Sequence, residues 1–132
     1  MTKTTNYQLN QWAKSDRIMM DDFNADNLKI DAALKEVADN AAQAPKIHFG
    51  SYTGDGASSR VISLGATPKA VLVFMNGYRI ASGDGNTRYG GFAVTGRDAE
   101  AVRICEDGFT IYASSSYFSN MSGSVYTYLA IC

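Results

Sequence analysis

Residues 21–53 read DDFNADNLKIDAALKEVADNAAQAPKIHFGSYT, and the pattern of apolar residues changes within this stretch. Up to Ala42 the stretch has no glycine or proline, and its second half is rich in good helix formers. Pro45 ends the helix, because the residue before a proline is pushed out of the α region. From Lys46 onward apolar and polar residues alternate, which is typical of β-strands. The sequence therefore predicts one helix followed by a β-rich region.

These two patterns define two predicted regions. Residues 1–45 form an N-terminal arm and an assembly helix at about 21–43, and residues 46–132 form a β head. Asp21 or Asp22 is the expected N-cap, since a carboxylate there accepts a backbone N–H. Acidic residues in the first turns also oppose the positive end of the helix dipole.

The predicted helix carries a narrow apolar stripe with alternating spacings of four and three residues, as in a heptad repeat. We call the following residues the seam: Phe23, Asn27, Ile30, Leu34, Val37 and Ala41. An isolated helix of this length is marginal in water, so the seam needs a partner. Leucine at position a with isoleucine at position d favours three or four strands over two. We expect a short trimeric coiled coil; the alternative is a helix packed on its own β domain.

Residues 1–20 show neither period. Large apolar residues, including Tyr7, Leu9, Trp12 and Ile18, are scattered along a polar chain. Such a segment is usually ordered only against another surface. It is either an arm that docks on other proteins or a terminus that packs on its own helix.

The β head is predicted to contain about eight short strands separated by turn residues. The expected strands are 47–53, 60–64, 70–75, 78–81, 89–95, 101–105, 109–113 and 125–132. Asn76-Gly77 and Asp107-Gly108 are the strongest hairpin signals, since type I′ turns need positive φ at both central residues. Strands at this spacing predict a mainly β fold, with an antiparallel sandwich or jelly roll.

The composition excludes several classes of partner. The 132-residue chain has a formal net charge of −1 and no Lys/Arg cluster, so nucleic acid is not an expected partner. Its longest apolar stretch, Ala70 to Met75, is far too short to span a bilayer, and the N-terminus lacks a signal-peptide pattern. Cys105 and Cys132 are expected to be buried free thiols.

Catalytic patterns are missing, so we expect no enzyme and no cofactor. The single histidine, His48, has no partner at a useful spacing and is expected to be structural. No CxxC or HxxxH spacing occurs, and Gly83-Asp84-Gly85-Asn86 lacks the later acidic ligand of a calcium loop, so no metal is expected. Most acids of the β region fall in turns, where aspartate bonds its own backbone, which disfavours a glycosidase pair.

Polar and aromatic residues in the loops are the candidate ligand-binding residues. Tyrosine, arginine, asparagine and serine on loops held by a rigid sheet provide stacking faces and adaptable hydrogen bonds. The alternative is that these are ordinary polar loops. The candidates are Tyr78, Arg79, Asp84, Asn86, Arg88, Tyr89, Tyr117 and Asn120.

A family resemblance rests on both regions. Residues 6–36, NYQLNQWAKSDRIMMDDFNADNLKIDAALKE, resemble the N-terminal segment of tail fibre and receptor-binding proteins of phages and prophages of Gram-positive bacteria. Residues 49–77, FGSYTGDGASSRVISLGATPKAVLVFMNG, are similar to a β-rich C-terminal domain of such proteins. The later stretches GGFAVTG, EDGFTIYAS and YTYLAIC agree with that domain.

The resemblance implies a component of the virion tail, made in the host cytoplasm and commonly homotrimeric. Its N-terminal arm is expected to join other tail or baseplate proteins, and its head to bind a host cell-surface glycan or related polymer. A purely structural tail or baseplate component, without receptor binding, is the alternative. A small glycan-cleaving enzyme is a third, weaker hypothesis.

Overall fold

The computed structural model describes residues 1–132 and divides the chain into two compact units, Met1–Ala44 and Pro45–Cys132. The protein is mainly β, with antiparallel sheets and a single helix. That helix does not combine the length and apolar composition that crossing a membrane requires.

The N-terminal unit consists of a small hairpin and one long helix. Strand β1 (Thr2–Lys3) pairs antiparallel with β2 (Asn10–Gln11), and helix α1 covers Met20–Gln43. The predicted helix is confirmed to within one residue. Its end agrees with the effect of the proline, because Ala44 is extended and donates its backbone N–H to the carbonyl of Ala41.

The start of α1 corrects the predicted cap. Met19 is the N-cap residue, and no side chain caps the helix. Asp21 and Asp22 lie in the first turn, where their charges still favour the positive end of the helix dipole.

The N-terminal arm is hydrogen-bonded to one side of α1. The Asn10 backbone N–H donates to Asp26 Oδ2 at 2.8 Å, and Asn10 Nδ2 donates to the Asp22 carbonyl at 3.1 Å. Lys29 Nζ donates to the Gln8 carbonyl at 2.6 Å. The N-terminal arm therefore packs on its own helix, as the second of the two sequence interpretations predicted.

The arm covers a side of α1 that adjoins the seam. The partly buried helix residues are Asp22, Asp26, Lys29 and Ala33, and no residue of α1 is fully buried. Apolar seam residues stay open, with exposed fractions of 57% for Phe23, 64% for Leu34 and 62% for Val37. Tyr7 and Leu9 of the arm line a small apolar cleft with Ile30, Leu34 and Val37, so the arm borders the seam but leaves most of it open.

The head contains seven strands arranged in two antiparallel sheets. The four-stranded sheet has the order β3-β9-β5-β6, and the three-stranded sheet has the order β4-β8-β7. Their bounds are β3 (Ile47–Thr53), β4 (Ser59–Ser63), β5 (Ala70–Met75), β6 (Gly91–Val94), β7 (Val102–Cys105), β8 (Gly108–Tyr112) and β9 (Val125–Ile131).

Side chains from both sheets form one hydrophobic core, because alternate residues of each strand point inward. The core residues are Tyr52, Val71, Val73, Met75, Ala93, Val102, Phe109, Ile111, Tyr126 and Ala130. On β9 the tyrosines take the inner face. Tyr126 is fully buried and stacks on Tyr52 at 4.9 Å between ring centroids, and Tyr128 meets Phe109 edge-on at 5.1 Å.

One predicted strand and two predicted turns differ from the structure. Residues 78–81 form no strand and lie in the loop between β5 and β6. Asn76-Gly77 does turn the chain, but only Gly77 has positive φ, and the turn opens that long loop instead of a tight hairpin. Strands β7 and β8 do form a hairpin, whose turn residues are Glu106 and Asp107.

Gly108 belongs to β8 and serves a different purpose from the predicted one. Its φ is not positive, and a Cβ there would lie 2.0 Å from the carbonyl oxygen of Ile62 on β4. The glycine therefore permits the close approach of two backbones.

Candidate functional site: an aromatic loop surface

Two long loops of the head, residues 76–90 and 113–124, are hydrogen-bonded to each other through Arg88. The Arg88 backbone N–H donates to the Ser116 carbonyl at 2.8 Å, and the Phe118 N–H donates to the Arg88 carbonyl at 2.7 Å. The first loop is also closed on itself, since the Tyr89 N–H donates to the Ile80 carbonyl at 2.8 Å. The two loops therefore form one continuous layer.

Aromatic side chains from both loops meet in this layer. The ring centroids of Tyr78 and Tyr89 are 5.3 Å apart, and those of Tyr89 and Phe118 are 5.7 Å apart. Such distances are favourable for tilted and edge-to-face aromatic contacts. Tyr78 is 61% exposed and offers its ring to solvent. We call Tyr78, Arg79, Tyr89 and Phe118 the aromatic loop surface.

Two open clefts share the tyrosine pair of this surface. The first has a volume of about 420 Å³ and is lined by Gly77, Tyr78, Arg79, Ser82, Gly83 and Tyr89. The second has a volume of about 340 Å³ and is lined by Met75, Tyr78, Tyr89, Phe118, Met121, Ser122 and Ser124. One side of the pair thus faces a mainly polar cleft, and the other faces a cleft with two methionines.

Arg79 brings a positive charge to the first cleft. Its guanidinium passes near Gly83, with Nη1 at 3.6 Å from the position that a Cβ of that residue would take. Arg79 takes part in none of the ion pairs of the chain. Its donors are therefore free to bind an acceptor that enters the cleft.

Buried tyrosine hydroxyls hold the second loop from below. Tyr52 donates its hydroxyl to the Ser119 carbonyl at 2.6 Å. The Tyr126 hydroxyl donates to the Phe118 carbonyl and accepts the Met121 N–H at 3.0 Å. Burial raises the pKa of both hydroxyls, so both remain neutral donors at ordinary pH. The core thereby determines where Phe118 lies.

Asp84 and Asn86, two of the predicted site residues, shape their own loop. The Asp84 carboxylate accepts bonds from the Ser82 hydroxyl and from the backbone and side-chain amides of Asn86. The Ser82 hydroxyl, followed by the Asn86 amides, lowers the pKa of Asp84 below its ordinary value. Gly85 between them has a φ of 75°. This is the hydrogen-bonding pattern of a turn aspartate.

Arg88, Tyr117 and Asn120 also have structural partners. Arg88 Nε lies 2.8 Å from Glu100 Oε2, and its Nη1 donates to the Gly85 carbonyl. The Tyr117 ring packs edge-on against Tyr112 at 6.4 Å.

Asn120 is fully buried, so it does not reach a surface ligand. Its amide donates to Asp55 Oδ1 at 2.6 Å and to the Ala57 carbonyl at 3.0 Å, which ties the loop after β3 to the second long loop.

Of the eight predicted residues, the structure therefore brings Tyr78, Arg79 and Tyr89 together at a cleft. Sequence reasoning did not select the remaining lining residues, which include Ser82, Phe118 and Met121. Phe118 stands next to the selected Tyr117, but a loop without a regular period does not indicate which neighbour faces a cleft.

No cluster of three or more His, Cys, Asp or Glu side chains is positioned to hold a metal ion. His48 lies on β3 opposite Ala130 and points toward the inner side of the sheet. The surface instead offers aromatic faces, hydroxyls and one unpaired guanidinium.

Comparison of the chain with models of protein families, with curated proteins and with solved structures found no match.

Proposed function

We propose that this protein is a phage tail attachment protein, without enzymatic activity, whose head binds a host cell-surface glycan or a related polymer. The observation that carries the proposal is the aromatic loop surface, where Tyr78, Tyr89 and Arg79 converge on one cleft. The resemblance of residues 6–36 and 49–77 to phage tail fibre and receptor-binding proteins supports the same assignment.

The chemistry of the cleft suits a sugar chain. Sugar rings present C–H faces that pack on exposed aromatic rings, while their hydroxyls and acidic substituents take hydrogen bonds from serine and arginine. Tyr78 and Tyr89 supply the rings, and Ser82 and Arg79 supply the polar groups. A volume of about 420 Å³ falls within the size range of ligand sites, and an open cleft accommodates a continuing polymer.

The α1 seam is the proposed contact between copies. A 24-residue helix without a single buried residue gains little from its own unit, and its apolar stripe follows a heptad spacing. We propose a short coiled coil of three copies, and a head that forms a β-sandwich of the jelly-roll type in each copy. We also propose that the exposed Tyr7 and Ile18 of the arm contact other tail or baseplate proteins, and that the protein is located in the virion tail.

Binding to purified cell-surface polymers tests the function of the head. Tyr78→Ala and Tyr89→Ala should each weaken binding by about 2- to 10-fold, because a stacked contact on an aromatic ring contributes roughly 0.5–1.5 kcal/mol beyond its buried area. Tyr7→Ala is the matched control, since Tyr7 is 57% exposed but belongs to the N-terminal unit. Wild-type protein that adsorbs to no host cell or polymer would refute the receptor-binding role and leave the structural tail component.

Sedimentation velocity tests the assembly. Leu34→Lys places a charge on the seam and should remove the helix-mediated oligomer. Leu28→Lys is the control, because Leu28 is 72% exposed and lies off the seam. Equal loss of association in both variants would show that the seam is not the contact between copies.

A further inference from the structure

The four-stranded sheet has a second apolar face, which points away from the core. We call it the outer sheet face. Strand register places its residues in two rows that cross all four strands. One row contains Ile47, Ile131, Ala70 and Val94, and the other contains Phe49, Leu129, Leu72 and Phe92.

Several of these side chains are largely open to solvent. Phe49 is 75% exposed, and Ile47 and Phe92 are each 60% exposed. Phe74, next to the second row, is 37% exposed, and Val125 at the end of β9 is 44% exposed. Isolated exposed apolar residues are ordinary, but a contiguous group of this kind marks an interaction surface.

The face also lacks charge. Every outward position on β3, β5, β6 and β9 is apolar, or is a serine or threonine. The three-stranded sheet is different, since its outer side carries Arg103 with its guanidinium 5.4 Å from the centre of the Tyr112 ring. An occupant of the outer sheet face therefore needs an apolar, uncharged surface of similar shape.

The area of the face is sufficient for a stable contact between two copies. With about 200 Å² for a fully exposed phenylalanine, Phe49, Phe92 and Phe74 together leave about 340 Å² of apolar surface open. Two such faces would bury about 700 Å² from phenylalanine alone. Ile47, Val125 and the partly buried aliphatic residues raise the total past the roughly 1,000 Å² that a specific interface requires.

We propose that the outer sheet face packs against the same face of a second copy of this chain. A two-fold pairing brings each residue near equivalent residues of the partner, so any charge on the face would meet a like charge. This face has none. Two twisted sheets pack face to face about 10 Å apart, with their side chains interlocking. The pairing depends neither on glycan binding nor on the α1 seam.

The test uses the full chain carrying Leu34→Lys, so that the helix contact is removed and only the head can associate. Sedimentation equilibrium over micromolar to submillimolar concentrations should reveal a dimer. Adding Phe49→Lys and Phe92→Lys should weaken this dimer by roughly 100-fold or more, because charges would then be buried at its centre. Val61→Lys is the matched control, since Val61 is a 51% exposed strand residue on the other sheet; it should leave the dimer intact.

Two results would overturn the inference. One is a chain that stays monomeric at all these concentrations, which would leave a different protein or the N-terminal unit as the occupant. The other is a dimer that the phenylalanine substitutions do not weaken. Phe49→Ser and Phe92→Ser, with thermal unfolding of each variant, separate lost pairing from lost folding. Glycan binding is measured on the same samples, so failure of this pairing is distinguishable from failure of the proposed receptor role.

Discussion

Removing one hydroxyl group from the core should loosen the aromatic loop surface. Tyr126 is fully buried, and its hydroxyl donates to the Phe118 carbonyl and accepts the Met121 N–H at 3.0 Å. Tyr126→Phe keeps the ring and its stacking on Tyr52, so the change isolates these two hydrogen bonds. Both partner groups are then left without their bond in a partly buried position.

The expected loss of stability is about 2 kcal/mol, at about 1 kcal/mol for each hydrogen bond. For a unit of the size of the head, this lowers the melting temperature by about 10 °C. Urea and thermal unfolding followed by circular dichroism measure the change. Amide exchange at Met121 should also become faster, because its N–H has lost its acceptor. Polymer binding should weaken with it, since Phe118 packs edge-on against Tyr89, which lines the proposed binding cleft.

Tyr128→Phe provides a matched control two residues along the same strand. The Tyr128 ring packs against Phe109, but its hydroxyl makes no hydrogen bond within the chain. Its removal should change stability by less than about 0.5 kcal/mol. If the two variants unfold at the same urea concentration, the hydroxyl of Tyr126 does not anchor the loop.

Two further predictions concern a glycine and an acidic residue. Gly90→Ala should destabilise the head by about 3 kcal/mol or more in urea unfolding, because the added Cβ would lie 2.0 Å from the Val73 carbonyl oxygen. Gly83→Ala is the control and should be nearly neutral, because its Cβ would meet only a side chain, at 3.6 Å. Hydrogen bonds from the Ala57 N–H and then from the Asn120 amide lower the pKa of Asp55. The ionised carboxylate therefore stabilises the fold at pH values above the unfolded pKa of about 3.9. This contribution is lost as pH falls through the lower pKa of the folded state. Asp55→Asn should therefore reduce the stability difference between pH 7 and pH 2.5; an unchanged difference would contradict this role.

Regular periods account for what the sequence predicted well. The helix is confirmed because an uninterrupted run of helix formers ends at Pro45. Strands β3 and β5 have the predicted bounds, β3 from its alternation and β5 from its run of β-branched and other apolar residues. Residues 78–81 also alternate, yet they form no strand, because Gly77 turns the chain away after β5. A local pattern does not reveal whether a neighbouring strand is available for pairing.

The candidate site was harder to predict, because its loops are positioned by distant residues. Tyr117 was selected and its neighbour Phe118 was not, although Phe118 is the one at a cleft. The carbonyl of Phe118 is held by Tyr126 and that of Ser119 by Tyr52, which lies on another strand of the sheet. Asn120 was selected for its loop position, but its amide is buried because it joins a third loop at Asp55. Such choices depend on tertiary contacts.

The two faces of the four-stranded sheet show a related limit of sequence reasoning. On β3, alternation separates Ile47 and Phe49 from His48, Gly50 and Tyr52. Hydrophobicity alone would bury the first set, yet the structure buries Tyr52 and exposes Phe49. The reason is the room available beside Gly50, where a Cβ would lie 2.4 Å from the Tyr128 ring. The glycine therefore leaves room for the tyrosine side chains on the inner face. Large apolar residues thus remain on the side that this chain's own core does not use, and a second copy with the same uncharged rows gives them a partner.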